Sequence, residues 1–406
     1  MKRRDFIRRA VGTSVAAALA ARGHAMTDGT GRPPPQDADE VTLFLAGDVM
    51  TGRAIDQVLP HAGSPRIFEP YSESALDYLR LAERASGAIP RSVDFDYIWG
   101  HALAVLDAAA PAVRIVNLET AVTRRGTPWP RKGIQYRMHP DNIRCLTAAA
   151  IDCCVLANNH VLDWSYPGLE ETLASLAAAR IAAPGAGANL ETARAPAKLP
   201  LPGGGRVLVF ACGLQNSGIP AAWAASAWRP GVHLLPDLSA RTAAGLAARA
   251  QAARRPGDIV VISLHWGGNW GYEIPAAHRR FAHALIDATA ADVVHGHSSH
   301  HPLGIEVYRG RPILYGCGDL IDDYEGISRY EAYRADLALL YLVRLERATG
   351  ALRSLEMVPM HREKFRLGHA GEADRQWLHQ VLGRECVKLR AGVRMTGSGS
   401  LQLQWQ

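Results

Sequence analysis

Ile259-Val260-Val261-Ile262-Ser263-Leu264-His265 is a short apolar run that stops on an imidazole, and Trp266-Gly267-Gly268 follows it. Such a run reads as a buried strand whose last residue emerges at a sheet edge. The same unit recurs along the chain. Val41 to Ala46 runs into Gly47-Asp48, Val113 to Val116 into Asn117-Leu118-Glu119, and Ile151 to Ala157 into Asn158-Asn159-His160. Val293 and Val294 run into His295-Gly296-His297, and Ile313 to Tyr315 into Gly316 and Asp319. Helical segments fill the gaps at Gly168 to Ala179, Leu238 to Arg254 and Pro275 to Thr289. Buried strands alternating with helices indicate an α/β sheet fold. In such sheets ligands sit at the carboxyl ends of the strands, where this chain places residues able to bind metal.

The flanking segments set the organisation. Residues 1–25 hold Lys2, Arg3, Arg4, Arg8, Arg9 and Arg22 against Asp5, so five of the six net positive charges lie there. Arg3-Arg4-Asp5-Phe6-Ile7, a mildly apolar run from Ala10 to Ala21 and the small residues Gly23 and Ala25 read as a twin-arginine export signal. The apolar run is too short to span a bilayer. The expectation is an exported protein of the periplasm or cell envelope, meeting the membrane only through this signal if it stays uncleaved. The rest of the chain is near neutral, which gives no bulk electrostatic reason to bind nucleic acid. Residues 26–39 read as a linker, 40–365 as the main domain, and 366–406 as a C-terminal helix (Asp374 to Leu389) with a Gly/Ser-rich tail. Pro60 to Pro111 reads as an insertion near the site mouth. The six cysteines form no CxxC pair and read mainly as small core residues, a disulfide staying open. Gly203-Gly204-Gly205 precedes a strand and is a turn, not a phosphate cradle.

The chemistry-bearing residues follow from the strand ends. Asp48 is a carboxylate placed to reach a cation, and Glu119 is one placed to bridge two. His160 can donate a proton, with Asp163 three residues on to orient it. His265 ends its strand beside small residues that leave room for substrate. His295, His297, His300 and His301 fall within seven residues, and neutral imidazoles are the commonest metal ligands. His297 and His300 are the first choice among them. Asp319, with Asp322 and Asp323 behind it, adds acidity. Arg53, Lys132 and Arg137 are candidates to hold an anionic substrate. Trp266, with Trp270 and Tyr272, lies in an aromatic and glycine loop suited to lining a pocket for a sugar or polymer.

Taken in order, Gly-Asp, Asn-Leu-Glu, Asn-Asn-His, His-Trp-Gly, Gly-His…His and Gly-Asp resemble the CapA-type capsule biosynthesis (poly-γ-glutamate) family. That family looks like a branch of the calcineurin-like metallophosphoesterases, and the resemblance covers Val41 to His361. It implies a four-layer α/β fold, with two mixed β-sheets face to face and helices outside. It implies two divalent metals of the Mn, Fe or Zn kind. Carried over by motif, Asp48 and Glu119 are carboxylate ligands with Glu119 as the bridge. Asn159, His265, His297 and His300 complete the shells, and His160 faces the leaving group. Phosphoesterases usually read Asp-x-His at the first motif, where this chain has Met50. Many family members read Gly-x-His-Pro-His, where this chain has Gly296-His297-Ser298-Ser299-His300-His301. Two functions remain open. One is a metal-dependent hydrolase of a phosphoester or anionic polymer, acting through metal-activated water. The other is a non-catalytic factor that binds polymer or capsule and envelope assembly proteins on the same fold.

Overall fold

The computed structural model describes residues 39–406 except Arg329. The expected export signal and all but the last residue of the linker lie outside the described residues. Among those described, no helix is long and apolar enough to cross a membrane.

Six strands carry the site. They are β1 (Glu40–Val49), β2 (Val113–Leu118), β3 (Cys153–Val155), β4 (Ile259–His265), β5 (Val293–His297) and β6 (Asp319–Ile321). The first sheet has nine strands. Its path ends in Leu337–Glu346, β1, β2 and β3, with β6 pairing β1 beyond the end of Leu337–Glu346. β1, β2 and β3 run parallel, and Leu337–Glu346 runs antiparallel to β1. The second sheet has six strands, with β4 and β5 at its centre and parallel to each other.

Alternation along β1 decides the layering, because successive side chains of a strand point to opposite faces. Leu43 and Leu45 join Val207, Val209, Val261 and Val293 in a core between the two sheets. Phe44 and Ala46 face the other way, onto Tyr78, Leu79, Leu106, Leu169 and Leu176 of the outer helices. The second sheet does the same: Leu208, Phe210, Val260 and Ile262 pack on Leu246, Ala250, Phe281 and Leu285. The result is helices, sheet, sheet, helices, the four-layer α/β architecture expected. Each fully buried Leu, Val or Phe contributes about 1.5–3 kcal/mol relative to exposure.

Two local expectations change, and the reading of the cysteines as small core residues holds. Residues 60–111 are not an insertion at the mouth: helices Ala75–Ser86 and Ala102–Ala109 build the outer layer, burying Leu79, Ala82, Trp99 and Leu106. The C-terminal tail is a hairpin, Ala391–Met395 with Leu401–Trp405, which pairs Leu352–Glu363 and extends the first sheet. Leu401 and Leu403 enter the core between the sheets, so residues 366–406 are part of the same compact unit as the main domain. The six cysteines are free and buried; adjacent Cys153 and Cys154 serve opposite faces of β3.

Candidate functional site

Register brings the polar strand ends together. Asp48 on β1 is paired with Asn117 on β2 and with Asp319 on β6. His265 on β4 is paired with His297 on β5. β1 bulges between Ala46 and Asp48, where Gly47 lies so close to the Gly318 carbonyl that a Cβ would approach its oxygen to 1.8 Å. Only glycine fits there, and the Asp48 amide then donates to Gly318 at 3.1 Å.

Two groups of ligand atoms result. Asp48, His265 and His297 each offer an atom within 4.8 Å of one another, and so do Asp48, His300 and Asp319. All five residues are buried. The Nδ1 atoms of His265 and His297 face each other at 2.7 Å, and His300 Nδ1 is 2.9 Å from Asp319 Oδ1. Asp48 Oδ2 and Asp319 Oδ2 are buried without a hydrogen-bond partner. A buried carboxylate oxygen without a donor is costly unless a cation meets it. Burial, then the nearby Asp319 charge, pushes the Asp48 carboxyl up to about 7. Burial holds His265 and His297 well below the ordinary imidazole value, which favours their neutral form. Burial also pulls His300 down, but the carboxylates of Asp319, Asp48 and Asp322 together outweigh it and raise the ring. Neutral imidazoles with carboxylates suit Zn, Mn or Fe.

A pair of buried amides ties the carboxylates to His160. Asn158 Nδ2 donates to Asn117 Oδ1 at 3.0 Å, and Asn117 Nδ2 donates to Asp48 Oδ1 at 2.7 Å and to Glu119 Oε2 at 3.3 Å. Asn158 Oδ1 accepts from the amides of His160 and Val161 at 3.1 Å each. His160 Nδ1 lies 2.6 Å from Asp163 Oδ2 and 3.1 Å from Lys132 Nζ, while Nε2 lies 3.7 Å from Glu119 Oε1. Asp163 is fixed in turn by the Tyr136 amide at 2.6 Å and by Lys132 Nζ at 2.7 Å. Burial, against the pull of Asp163, lowers His160 to about 4.

Most of the residues expected from sequence converge here. Asp48, His265, His297 and His300 form the two groups, and Asn159 is half-buried with Oδ1 3.1 Å from His265 Nε2. His160 and Asp163 form the neighbouring pair. Glu119 is buried beside Asp48, but belongs to neither group; its oxygens face Asn117 and His160, so Asp48 takes the shared place that the resemblance gave to Glu119. Arg53 is no substrate anchor. It is buried between Glu69 and Asp323, its guanidinium 3.7 Å from the Tyr78 ring centre, with both carboxylates already neutralising it. Trp266 is no pocket wall either: it is buried, donates to the Tyr315 carbonyl at 2.9 Å and stacks on His278 at 4.4 Å. Lys132 serves the His160–Asp163 pair, and Arg137 lies 3.6 Å over the Trp164 ring, half-buried at the rim. Asp319 is a member of these groups that the first choice omitted. Its sequence signal was Gly318-Asp319, a repeat of Gly47-Asp48 after another apolar run. The Asn117 link was visible only as the first residue of Asn-Leu-Glu.

The chain is similar to known proteins over most of its length. It is 49% identical over 358 residues to the probable polyglutamine synthesis accessory protein of Mycobacterium tuberculosis, covering 88% of this chain and 93% of that protein. It is 27% identical over 293 residues to the PGA biosynthesis protein CapA of Bacillus subtilis, covering 70% of this chain and 64% of that protein. The capsule biosynthesis protein CapA of Bacillus anthracis matches at 23% over 292 residues, covering 71% and 61%. Residues 42–324, which hold every residue of the two ligand groups, match the family described as bacterial capsule synthesis protein PGA_cap, and the chain belongs to that family.

Proposed function

We propose that this chain is an exported, metal-dependent hydrolase that cleaves a phosphoester or an anionic polymer in capsule or polyglutamate metabolism. The observation that carries the reading is the pair of Asp/His groups sharing Asp48 beside an oriented His160. The unpartnered oxygens of Asp48 and Asp319 and the facing imidazoles of His265 and His297 fit divalent metal. Asp48, His265 and His297, with Asn159 beside them, would hold one ion; Asp48, His300 and Asp319 would hold a second. Bound metal supplies a water acidic enough, with a pKa near ~7 against ~15.7 in bulk, to act as hydroxide at neutral pH.

The protein's own groups set the proton path. His160 gives its Nδ1–H to Asp163, which leaves Nε2 as the atom that takes up and releases a proton. Burial, helped by the Lys132 charge that also pairs Asp163, lowers the ring to about 4 and keeps it uncharged at neutral pH. Burial, then the nearby Asp48 charge, raises the Glu119 carboxyl well above its ordinary value, and its Oε1 stands 3.7 Å from His160 Nε2. The names of the relatives support the link to capsule and polyglutamate synthesis. Arg3-Arg4 supports export by the twin-arginine route to the periplasm or envelope, and replacing both by Lys should leave the protein in the cytoplasm.

The test is metal content by mass spectrometry with a phosphoester and polymer hydrolysis screen, on the wild type and on His160→Ala. Hydrolysis with bound metal, lost in His160→Ala with the metal kept, supports the enzyme. Protein produced with Mn, Fe and Zn supplied that binds none and hydrolyses nothing sinks it. One observation favours the second reading, a non-catalytic assembly factor that binds polymer or envelope proteins. Met50 stands where phosphoesterases resembling this chain carry a histidine, and its sulfur faces the Tyr324 hydroxyl at 3.8 Å. Polymer binding by metal-loaded protein without turnover would decide for that reading.

A further inference from the structure

Two tyrosines link His300 to His160. The Tyr324 ring meets His300 edge-on at 5.3 Å, and the Tyr136 ring meets His160 edge-on at 4.4 Å. Their hydroxyls are joined, Tyr136 donating to the Tyr324 oxygen at 3.2 Å. The Tyr324 hydroxyl in turn faces the Met50 sulfur at 3.8 Å, and Met50 is two positions after Asp48.

What each hydroxyl can reach sets the direction of these bonds. Tyr136 is fully buried, and among the described residues the Tyr324 oxygen is the acceptor its hydroxyl finds. A buried donor keeps such a partner. Tyr324 therefore has one lone pair filled and its own proton still to place. The acceptor facing that proton is a thioether, which accepts only weakly. An anionic oxygen in its stead would make a charge-assisted bond, roughly twice as strong as a neutral one. An ordinary phenol titrates near ~10, so this donor keeps its proton at neutral pH.

The chain on either side of that hydroxyl is clamped. Tyr324 lies three residues past β6 and is half-buried. Asp322 pairs Arg362 at 2.9 Å, and its Oδ1 accepts from the Tyr324 amide at 2.9 Å. Asp323 accepts from Arg53 Nε and from the Ala54 amide at 3.0 Å each. The same guanidinium lies 4.5 Å from the Tyr136 ring centre. These buried ion pairs hold both tyrosines in place before anything binds. A donor fixed in advance where negative charge develops stabilises a transition state without reorganisation.

We propose that the Tyr324 hydroxyl, with Tyr136 behind it, is the oxyanion donor of this site. It donates to an oxygen of the reacting group that does not leave, and its proton stays on the phenol. The inference rests on the hydrolase reading above and deepens it. Met50 puts a thioether where the phosphoesterases resembling this chain carry a histidine, and the Tyr324 hydroxyl brings a hydrogen-bond donor back to that corner. His160 then serves the leaving oxygen, and Tyr324 the oxygen that remains.

The test compares metal-loaded wild type with Tyr324→Phe, which keeps the ring against His300. Metal content and melting temperature should not change. Inorganic phosphate, titrated calorimetrically, should bind about tenfold more weakly to the variant. On 4-nitrophenyl phosphate kcat should fall about 100- to 1000-fold with KM little changed. The loss should be the same on glycerol 2-phosphate, a poorer leaving group, whereas His160→Ala should lose more on that ester. Tyr136→Phe leaves the Tyr324 proton in place and should lose less phosphate affinity than Tyr324→Phe. Unchanged phosphate affinity in Tyr324→Phe overturns the proposal. So does a loss that accompanies lost metal, and so does loaded wild type that binds no phosphate. Phosphate binding that needs Tyr324, in a wild type that turns nothing over, keeps the donor and removes the hydrolase. Turnover that Tyr324→Phe leaves intact does the reverse.

Discussion

At the scale of single residues, Asp48 has the most distinctive position. It is common to both ligand groups, it is buried, and one oxygen accepts from Asn117 while the other meets no donor. Its removal should therefore differ in kind from removal of a terminal ligand. Asp48→Asn should bring metal content to background, whereas His300→Ala should leave one ion with His265 and His297. Elemental analysis of the two purified variants checks this, and equal losses would return the shared place to Glu119. Asn117→Leu strands Asp48 and Glu119 without their amide donor, at about 1–3 kcal/mol for each buried acceptor left unsatisfied. A second residue makes a pH prediction away from the site. Buried His233 holds Nδ1 against the Ala211 carbonyl at 3.2 Å, and burial lowers it from 6.5 to about 4. Its folded value lies below its unfolded value, so the unfolded chain takes up the proton first as pH falls. Stability is then lost from near pH 6.5 down to about 4, by about 3 kcal/mol. Urea unfolding of His233→Gln should show a flatter acid limb than the wild type.

At the scale of elements, the C-terminal hairpin is the part whose importance is easiest to test. Leu401 and Leu403 are buried between the sheets, and strand Leu401–Trp405 pairs Leu352–Glu363 next to one end of the nine-stranded sheet's path. Leu401→Ala should cost about 2–5 kcal/mol, with a lower melting temperature and unchanged metal content. A neutral result would mean that the hairpin frays. The same hairpin shows where sequence stops being informative. Its Thr396-Gly397-Ser398-Gly399 turn reads as loose tail, because pairing with residues more than 40 positions away leaves no local signal. β1, β4, β5 and the helices on either side were legible because their apolar periodicity is local and strong. The order of ligands was legible because each closes such a run. The functions of Arg53 and Trp266 were not. Arg53 is spoken for by Asp323, 270 positions away, and Trp266 by Tyr315, 49 away. Asp319 had the right local pattern, but only its pairing with Asp48 distinguishes it from an ordinary turn former.

At the scale of the molecule, the site lies on the seam between two sheets. Asp48 and Asp319 come from the first, His265 and His297 from the second, and His300 follows the second's β5. Direct contacts across the two sheets at that edge include His295 Nε2 with the Ala46 carbonyl at 2.8 Å and His300 Nδ1 with Asp319 Oδ1 at 2.9 Å, while His297 Nδ1 stands 4.0 Å from Asp48. Metal held by both sheets would thus act as a clamp across a core otherwise joined by apolar packing. A ligand bound only by the folded state stabilises it by about 4 kcal/mol at a thousandfold excess over its Kd. Unfolding entropy of about 2.1 cal/mol/K per residue converts that to a rise of roughly 5 °C in a chain of this length. Chelator-stripped protein should melt lower by that amount, and adding Mn, Fe(II) or Zn should restore it. The His265→Ala, His297→Ala variant should melt at one temperature with or without metal. A metal-dependent shift that survives in that variant would place the stabilising ion elsewhere, and its loss in Asp48→Asn alone would still identify the seam as the place where metal acts.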